Sequence, residues 1–227
     1  MDNPATLVKT ITEKLLDKSS NKQFVYRNTK TVFALFKKQI QEIVADICPS
    51  LKENDASVCI DYKENNEFEV QLSFSGDVLV FNMHTNVFTF EESHFIHSLD
   101  YVKQDPNKAF CGVIEVYNFL NDSLKYQRLS DTGYLVCRVF INKENKIIIE
   151  GERPIIELNQ GFEKTTISDD IVRAIIEQSM LYALDFDLWA PPIQNVKEIT
   201  VQQKITNAGV SLHQTSKRLG FKFQKEL

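Results

Sequence analysis

Between Pro49 and Ser57 the hydrophobic period of the chain changes from that of a helix to that of a strand, and this change limits the folds open to it. Before it, Val32, Phe33, Phe36, Ile40, Ile43, Val44 and Ile47 keep three- and four-residue spacing from about Thr29, which predicts a long amphipathic helix with Pro49 as its stop. After it, Glu67-Phe68-Glu69-Val70-Gln71-Leu72-Ser73-Phe74 alternates without a fault, so one face of that strand is buried and the other is wet. A face as broad as that of the 29–47 helix needs a sheet to cover, and the chain supplies one directly after it.

The remaining elements follow from the same rules. Asn3 and Pro4 suit a cap and first helical position, and Leu7, Val8, Ile11 and Leu15 then share a face, predicting a first helix to about Lys18. Strands are expected at about 57–62, 67–74, 77–83 and 86–90, separated by short polar turns as in an antiparallel meander. Residues 105–121 are rich enough in Val, Ile and aromatics for a strand. The Asp105-Pro106 start and the spacing of Phe110, Val113, Ile114, Tyr117 and Leu120 favour a helix instead. A second meander is expected from strands at about 124–129, 134–141 and 146–152. A closing helix is expected behind Thr165–Ser168, with Asp169 and Asp170 in its first turn and Ile171, Val172, Ile175, Ile176, Met180 and Ala183 as its buried stripe. The expected architecture is α+β, a mainly antiparallel sheet of two meanders with helices packed on one face. It forms a single domain over residues 1–194, with its core at about 30–187.

Composition narrows the chemistry. The seven glycines among 227 residues are all at least ten residues apart, which excludes the glycine-rich dinucleotide and phosphate loops and the nucleophile elbow. Cys48, Cys59, Cys111 and Cys137 sit among apolar neighbours with no C-x-x-C pair, and are read as reduced core residues. A net charge of −5 disfavours nucleic-acid binding, and no uncharged apolar run is long enough for a membrane span. With no basic leader at Met1, a cytoplasmic location is expected. The charge is uneven: residues 195–227 carry six basic and two acidic side chains, net +4, behind a body of −9. Val196, Ile199, Val201, Ile205, Val210, Leu212, Leu219, Phe221 and Phe223 predict that this basic segment packs on the domain or on a second subunit.

Candidate functional residues are few. His94 and His97 are the only histidines at ligand-like spacing, and with Glu91, Glu92 and Asp100 nearby they could hold a divalent metal; the competing reading is a pair of surface loop histidines. Carboxylate pairs at Glu91/Glu92, Asp169/Asp170 and Asp185/Asp187 could do acid–base work only with another group opposite. Arg128 and Arg138 lie on expected strands, where an inward arginine could receive an anion and an outward one is merely solvated. Phe186 and Trp189, with the prolines that follow, form an apolar exit from the last helix that either anchors a partner chain or folds back to seal the core edge.

One resemblance can be drawn. The stretch from Val116 to Asp187, with Asn118 and Asn121, the hairpin GYLVCRVFINKENKIIIEG and the helix ISDDIVRAIIEQSMLYALDFDLW, resembles the C-terminal half of the type III secretion chaperone-like fold, in particular the bacterial YbjN-type family of sensory transduction regulators. With the long helix and first meander the resemblance spans about 30–187; the first helix, the C-terminal 40 residues and the long link from Arg153 to Ile167 depart from it. It implies a chaperone-like or regulatory protein that acts by binding other proteins, with no catalytic residues to carry over. The expectation is therefore a non-enzymatic protein with an unknown protein partner, a homodimer, and no cofactor. The alternatives are a metal-assisted hydrolase using His94 and His97, and a small-ligand sensor.

Overall fold

The computed structural model describes residues 4–129, 131–190, 192–201 and 204. The chain is α+β. It opens on one continuous helical rod: α1 (Pro4–Lys14), a π-helical turn (Leu15–Ser19) and α2 (Ser20–Asn54). The two helices expected from the sequence are thus joined, because residues 19–28 contain no glycine or proline and Val25 and Thr29 already bury a face there. Nor does Pro49 end α2. Its ring removes one hydrogen bond, but Cys48 and Leu51 pack on the core at either side and hold the last turn, which closes with the Asp55 N–H on the Leu51 carbonyl at 2.8 Å.

Among the described residues, β1 (Ile60–Asn66), β2 (Glu69–Phe74), β3 (Asp77–Met83), β4 (Cys111–Leu120), β5 (Tyr134–Asn142) and β6 (Ile147–Gly151) form a single antiparallel sheet in sequence order. The two meanders therefore join edge to edge through β3 and β4. On one face lie α2 and α5 (Asp169–Leu184). Val32, Phe33, Phe36, Ile40 and Ile43 of α2 and Val172, Ile175, Ile176 and Met180 of α5 close over the inward residues of all six strands. Ser168 caps α5, its hydroxyl accepting from the Ile171 N–H at 3.3 Å. On the other face Cys111, Val113, Phe140 and Ile148 meet Ile96, Val102, Ala109 and Phe162 in a smaller core, covered by the segment between β3 and β4 that holds α3 (Asp100–Lys103).

The sequence expectations fail around β4. Asp105 does cap a helix, accepting from the Asn107 N–H at 3.0 Å, but that helix is a single 3-10 turn, Pro106–Ala109. The remainder of 105–121 is a central strand buried on both faces, and such a strand reads as a continuous apolar run in which helical spacing arises by chance. The expected strand at 124–129 is instead α4 (Asn121–Lys125) followed by a turn with Gln127 at φ 50. Of the strand expected at 86–90, only Phe88 pairs, with Cys111. Helix α6 (Ile193–Val196) is one turn; most of the basic segment 195–227 lies outside the described residues.

At Gly112 the rod comes so close to the sheet that a Cβ there would lie 2.0 Å from Thr29 Oγ1, with Thr29 Cβ and Cγ2 also inside 3 Å. Gly112→Ala should lower unfolding stability by about 1–3 kcal/mol or more. Gly76→Ala, where nothing lies within 4 Å, should change it by less than about 0.5 kcal/mol. Urea denaturation followed by circular dichroism measures both.

Asp105 also receives Lys143 Nζ at 2.5 Å, and this bond holds its carboxyl below the ordinary 3.8. A depressed carboxylate stabilises the fold above its unfolded pKa and loses that contribution as pH falls through the folded value. Asp105→Asn should therefore cost stability at pH 5 to 7 and cost less below about pH 3, read as converging urea midpoints.

Candidate functional site

Because β4, β5 and β6 pair in register, Glu115 lies directly opposite Arg138, and Arg138 directly opposite Glu150. Alternation turns all three to the face away from α2 and α5, in the same column direction as Val113 and Phe140. Arg138 Nε donates to Glu150 Oε2 at 2.7 Å, and its guanidinium carbon lies 5.1 Å from the centre of the Phe140 ring. Burial first, and then the Glu115 carboxylate, raises the hydroxyl of neighbouring Tyr117 above its usual range.

The chain between β3 and β4 walls this charged row on one side. His84 is pinned by its N–H to the Val113 carbonyl at 2.9 Å, and Phe88 exchanges two backbone hydrogen bonds with Cys111 at 2.8 and 2.9 Å. Aromatic rings then lean on one another: His84 edge-on to Phe88 at 4.6 Å, His94 stacked on Phe90 at 4.5 Å and 22°, and Phe90 tilted on Phe140 at 5.0 Å. Between wall and sheet is a cleft of about 700 Å³, lined by His84, Phe88, Phe90, Glu91, His94 and Phe95 on one side and by Val113, Glu115, Arg138, Phe140 and Glu150 on the other. A volume of this size is within the usual range for small-molecule sites.

His94 lines the cleft, but its Nδ1 accepts the Ile96 N–H at 3.4 Å and its ring is stacked; His97 instead sets Nε2 3.2 Å from the Phe90 carbonyl. Both histidines thus shape the aromatic wall, and among the described residues no three His, Cys, Asp or Glu side chains are grouped to hold a metal. Asp169 takes an ion pair from Lys38 at 3.0 Å. Arg128 is on no strand: it follows α4 and lies 3.9 Å from Asp131. Trp189 is 81% exposed and does not seal the core edge, whereas Phe186 is half-buried against Tyr182 with ring centres 4.8 Å apart. Asn118 is buried on the helix side of β4, with no side-chain hydrogen-bond partner among the described residues.

A second surface lies along the N-terminal arm of the rod. Every residue from Thr6 to Ser20 is exposed, Leu7, Val8, Ile11, Leu15 and Leu16 by 50–72%. The rod first touches the body near the π turn, where Asn107 Nδ2 donates to Asp17 Oδ1 at 3.0 Å and Lys18 and Lys22 approach the Phe110 ring. Among the described residues no helix is long and apolar enough to cross a membrane. Comparison with protein-family models, curated proteins and solved structures finds no match to this chain.

The cysteines divide, against the expectation that all four are core residues. Cys111 and Cys137 are buried, and burial pushes both thiols up, that of Cys137 to about 12; Cys48 is half-buried and Cys59 is exposed just before β1. In native protein Ellman's reagent should titrate Cys59 promptly and Cys48 slowly, with Cys111 and Cys137 reacting only in denaturant. A Cys59→Ser variant that keeps the fast phase would contradict this order.

Proposed function

We propose that this chain is a non-enzymatic binding protein of the chaperone or adaptor kind, which works by holding another polypeptide along α1. The exposed stripe of Leu7, Val8, Ile11 and Leu15 on a helix clear of the body carries this reading. A helix of this length is marginal alone in water, and most helical stability in proteins comes from packing an apolar face. Single exposed apolar side chains are ordinary; a contiguous row of them marks a contact surface. The resemblance to YbjN-type regulators points the same way, since it implies action through protein contacts. A second copy of the chain is the simplest occupant: two α1 helices running antiparallel about a two-fold axis at Ile11 would set Leu7 of each against Leu15 of the other. His94, stacked on Phe90, and His97, with Nε2 beside the Phe90 carbonyl, make contacts that compete with metal ligation.

A photo-crosslinking residue placed at Ile11 in the protein's own cells should give discrete adducts with a second copy or another polypeptide. An Ile11→Glu, Leu15→Glu variant should abolish crosslinking from a probe at Val8, with the melting temperature of the body unchanged. Light scattering distinguishes the occupants, a homodimer giving twice the chain mass. No discrete adduct from either probe position would overturn the reading.

The small-ligand sensor is a second reading, favoured by the aromatic cleft on the opposite face of the sheet.

A further inference from the structure

The cleft between the 84–95 wall and strands β4 to β6 is not needed by the protein-binding reading, and its chemistry is specific. Three carboxylates, Glu91, Glu115 and Glu150, and one guanidinium, Arg138, line it, so negative formal charge predominates. Arg138 is not placed to receive an anion. Its Nε is already bonded to Glu150, and Glu115 flanks it from the other strand, so its positive charge is offset by two carboxylates and offers an incoming anion little net attraction. Most of the remaining lining is aromatic, with Phe88, Phe90 and Phe95 beside the acidic groups and Thr89, Ser93 and Val113 between them. Ring faces attract cations and repel anions, and organic ammonium groups are commonly held by aromatic walls backed by carboxylates. Half-closure matters as well: a site walled by rings lowers the local dielectric, so a net charge of this sign discriminates more strongly than it would on an open surface.

We propose that this cleft binds a small organic cation, an amine or guanidinium on an apolar or aromatic stem, with the stem against Phe88, Phe90 and Phe95 and the cation towards Glu115 and Glu91. Glu150 is left to hold Arg138 over Phe140 as the floor. The ligand is a free small molecule: the cleft holds about 700 Å³, enough for a stem and its charged head.

Isothermal titration calorimetry on the full-length protein tests this with phenethylamine, its neutral counterpart phenethyl alcohol and the anion phenylacetate. The amine should bind at least about tenfold more tightly than either, since one charge-assisted hydrogen bond in a partly closed site accounts for that factor. Glu115→Gln should weaken the amine about tenfold and Glu91→Gln severalfold, both keeping the wild-type melting temperature. A variant with Glu115 intact and Phe90→Leu should also lose affinity, which tests the wall independently of the charge. Equal or tighter binding of phenylacetate, an unchanged affinity in Glu115→Gln, or no binding of the amine would each overturn the proposal. So would binding of a short lysine-containing peptide without the free amine, which would give the cleft to a polypeptide. None of these readouts involves α1, so this proposal and the protein-binding reading fail separately.

Discussion

The contact between Thr29 and Gly112 sets the distance at which α2 crosses the sheet, and the rest of the packing is laid out from it. With no side chain at Gly112, the helix settles close enough for Val25 and Thr29 to be wholly buried, and Phe36 then reaches Phe81 at a ring separation of 6.0 Å. Each large apolar side chain fully buried in this way contributes about 1.5–3 kcal/mol. The ion pairs around the helix lie at the surface, Lys30 with Glu67 and Lys38 with Asp169 exposed and Lys37 with Glu64 half-covered, and add little by comparison. A buried polar residue secures the end of the contact. Asn142 takes the Glu144 and Lys146 N–H groups on Oδ1, donates to Tyr101 Oη at 2.9 Å, and receives Asn28 of α2 on its carbonyl at 3.0 Å. One fully buried asparagine thereby ties the helix, the β5–β6 hairpin and the second-face segment together.

Strand β4 has to satisfy both faces at once. Its residues Ile114 and Val116 complete the main core under the helices, while Cys111 and Val113 belong to the smaller core behind. Beyond Val113 the second core ends and Glu115 begins the charged row, so the cleft occupies the place where apolar cover on that face runs out. The paired register of three strands fixes Glu115, Arg138 and Glu150 in line, while Glu91 comes from the segment between β3 and β4. A site built on sheet residues is held more rigidly than one assembled from loops alone.

The sequence was most legible where one face of an element is buried and the other is wet. The alternation of 67–74 and the capped α5 are close to their expected places, because period and polarity agree there; the β5–β6 hairpin, buried on both faces, was legible from its turn residues 142–145 instead. It was least legible at β4, where burial on both faces erases the alternation and the Asp105-Pro106 cap starts a helix that lasts one turn. That single misreading also hid the site: Glu115 on a helix has no reason to meet Arg138, whereas Glu115 on a strand between Val113 and Tyr117 is a charge set on an apolar face. The residues 111, 113, 115, 117 and 119 alternate with 112, 114, 116 and 118 as two complete faces, a signal that helical spacing concealed. His94 and His97 have ligand-like spacing in the sequence, whereas in the fold one is a ring surface of the wall and the other a partner of the Phe90 carbonyl.

The π turn between α1 and α2 decides where the arm faces. In an unbroken α-helix, residues eighteen apart coincide in phase, at ~100° per residue. Leu7, Ile11 and Leu15 would then continue the line of Val25, Thr29 and Phe33, all buried in α2. In the π turn the Ser20 N–H reaches the Leu15 carbonyl five residues back, which adds one residue to that turn and rotates everything before it by roughly a quarter turn. The arm's apolar stripe therefore points aside from the plane in which α2 rests on the sheet. Whatever lies along α1 approaches the molecule from its flank, and the mating surface is geometrically distinct from the core instead of being its overhanging edge. Insertion or deletion of a single residue at 15–19 would swing that surface to a new bearing while leaving the body as it is.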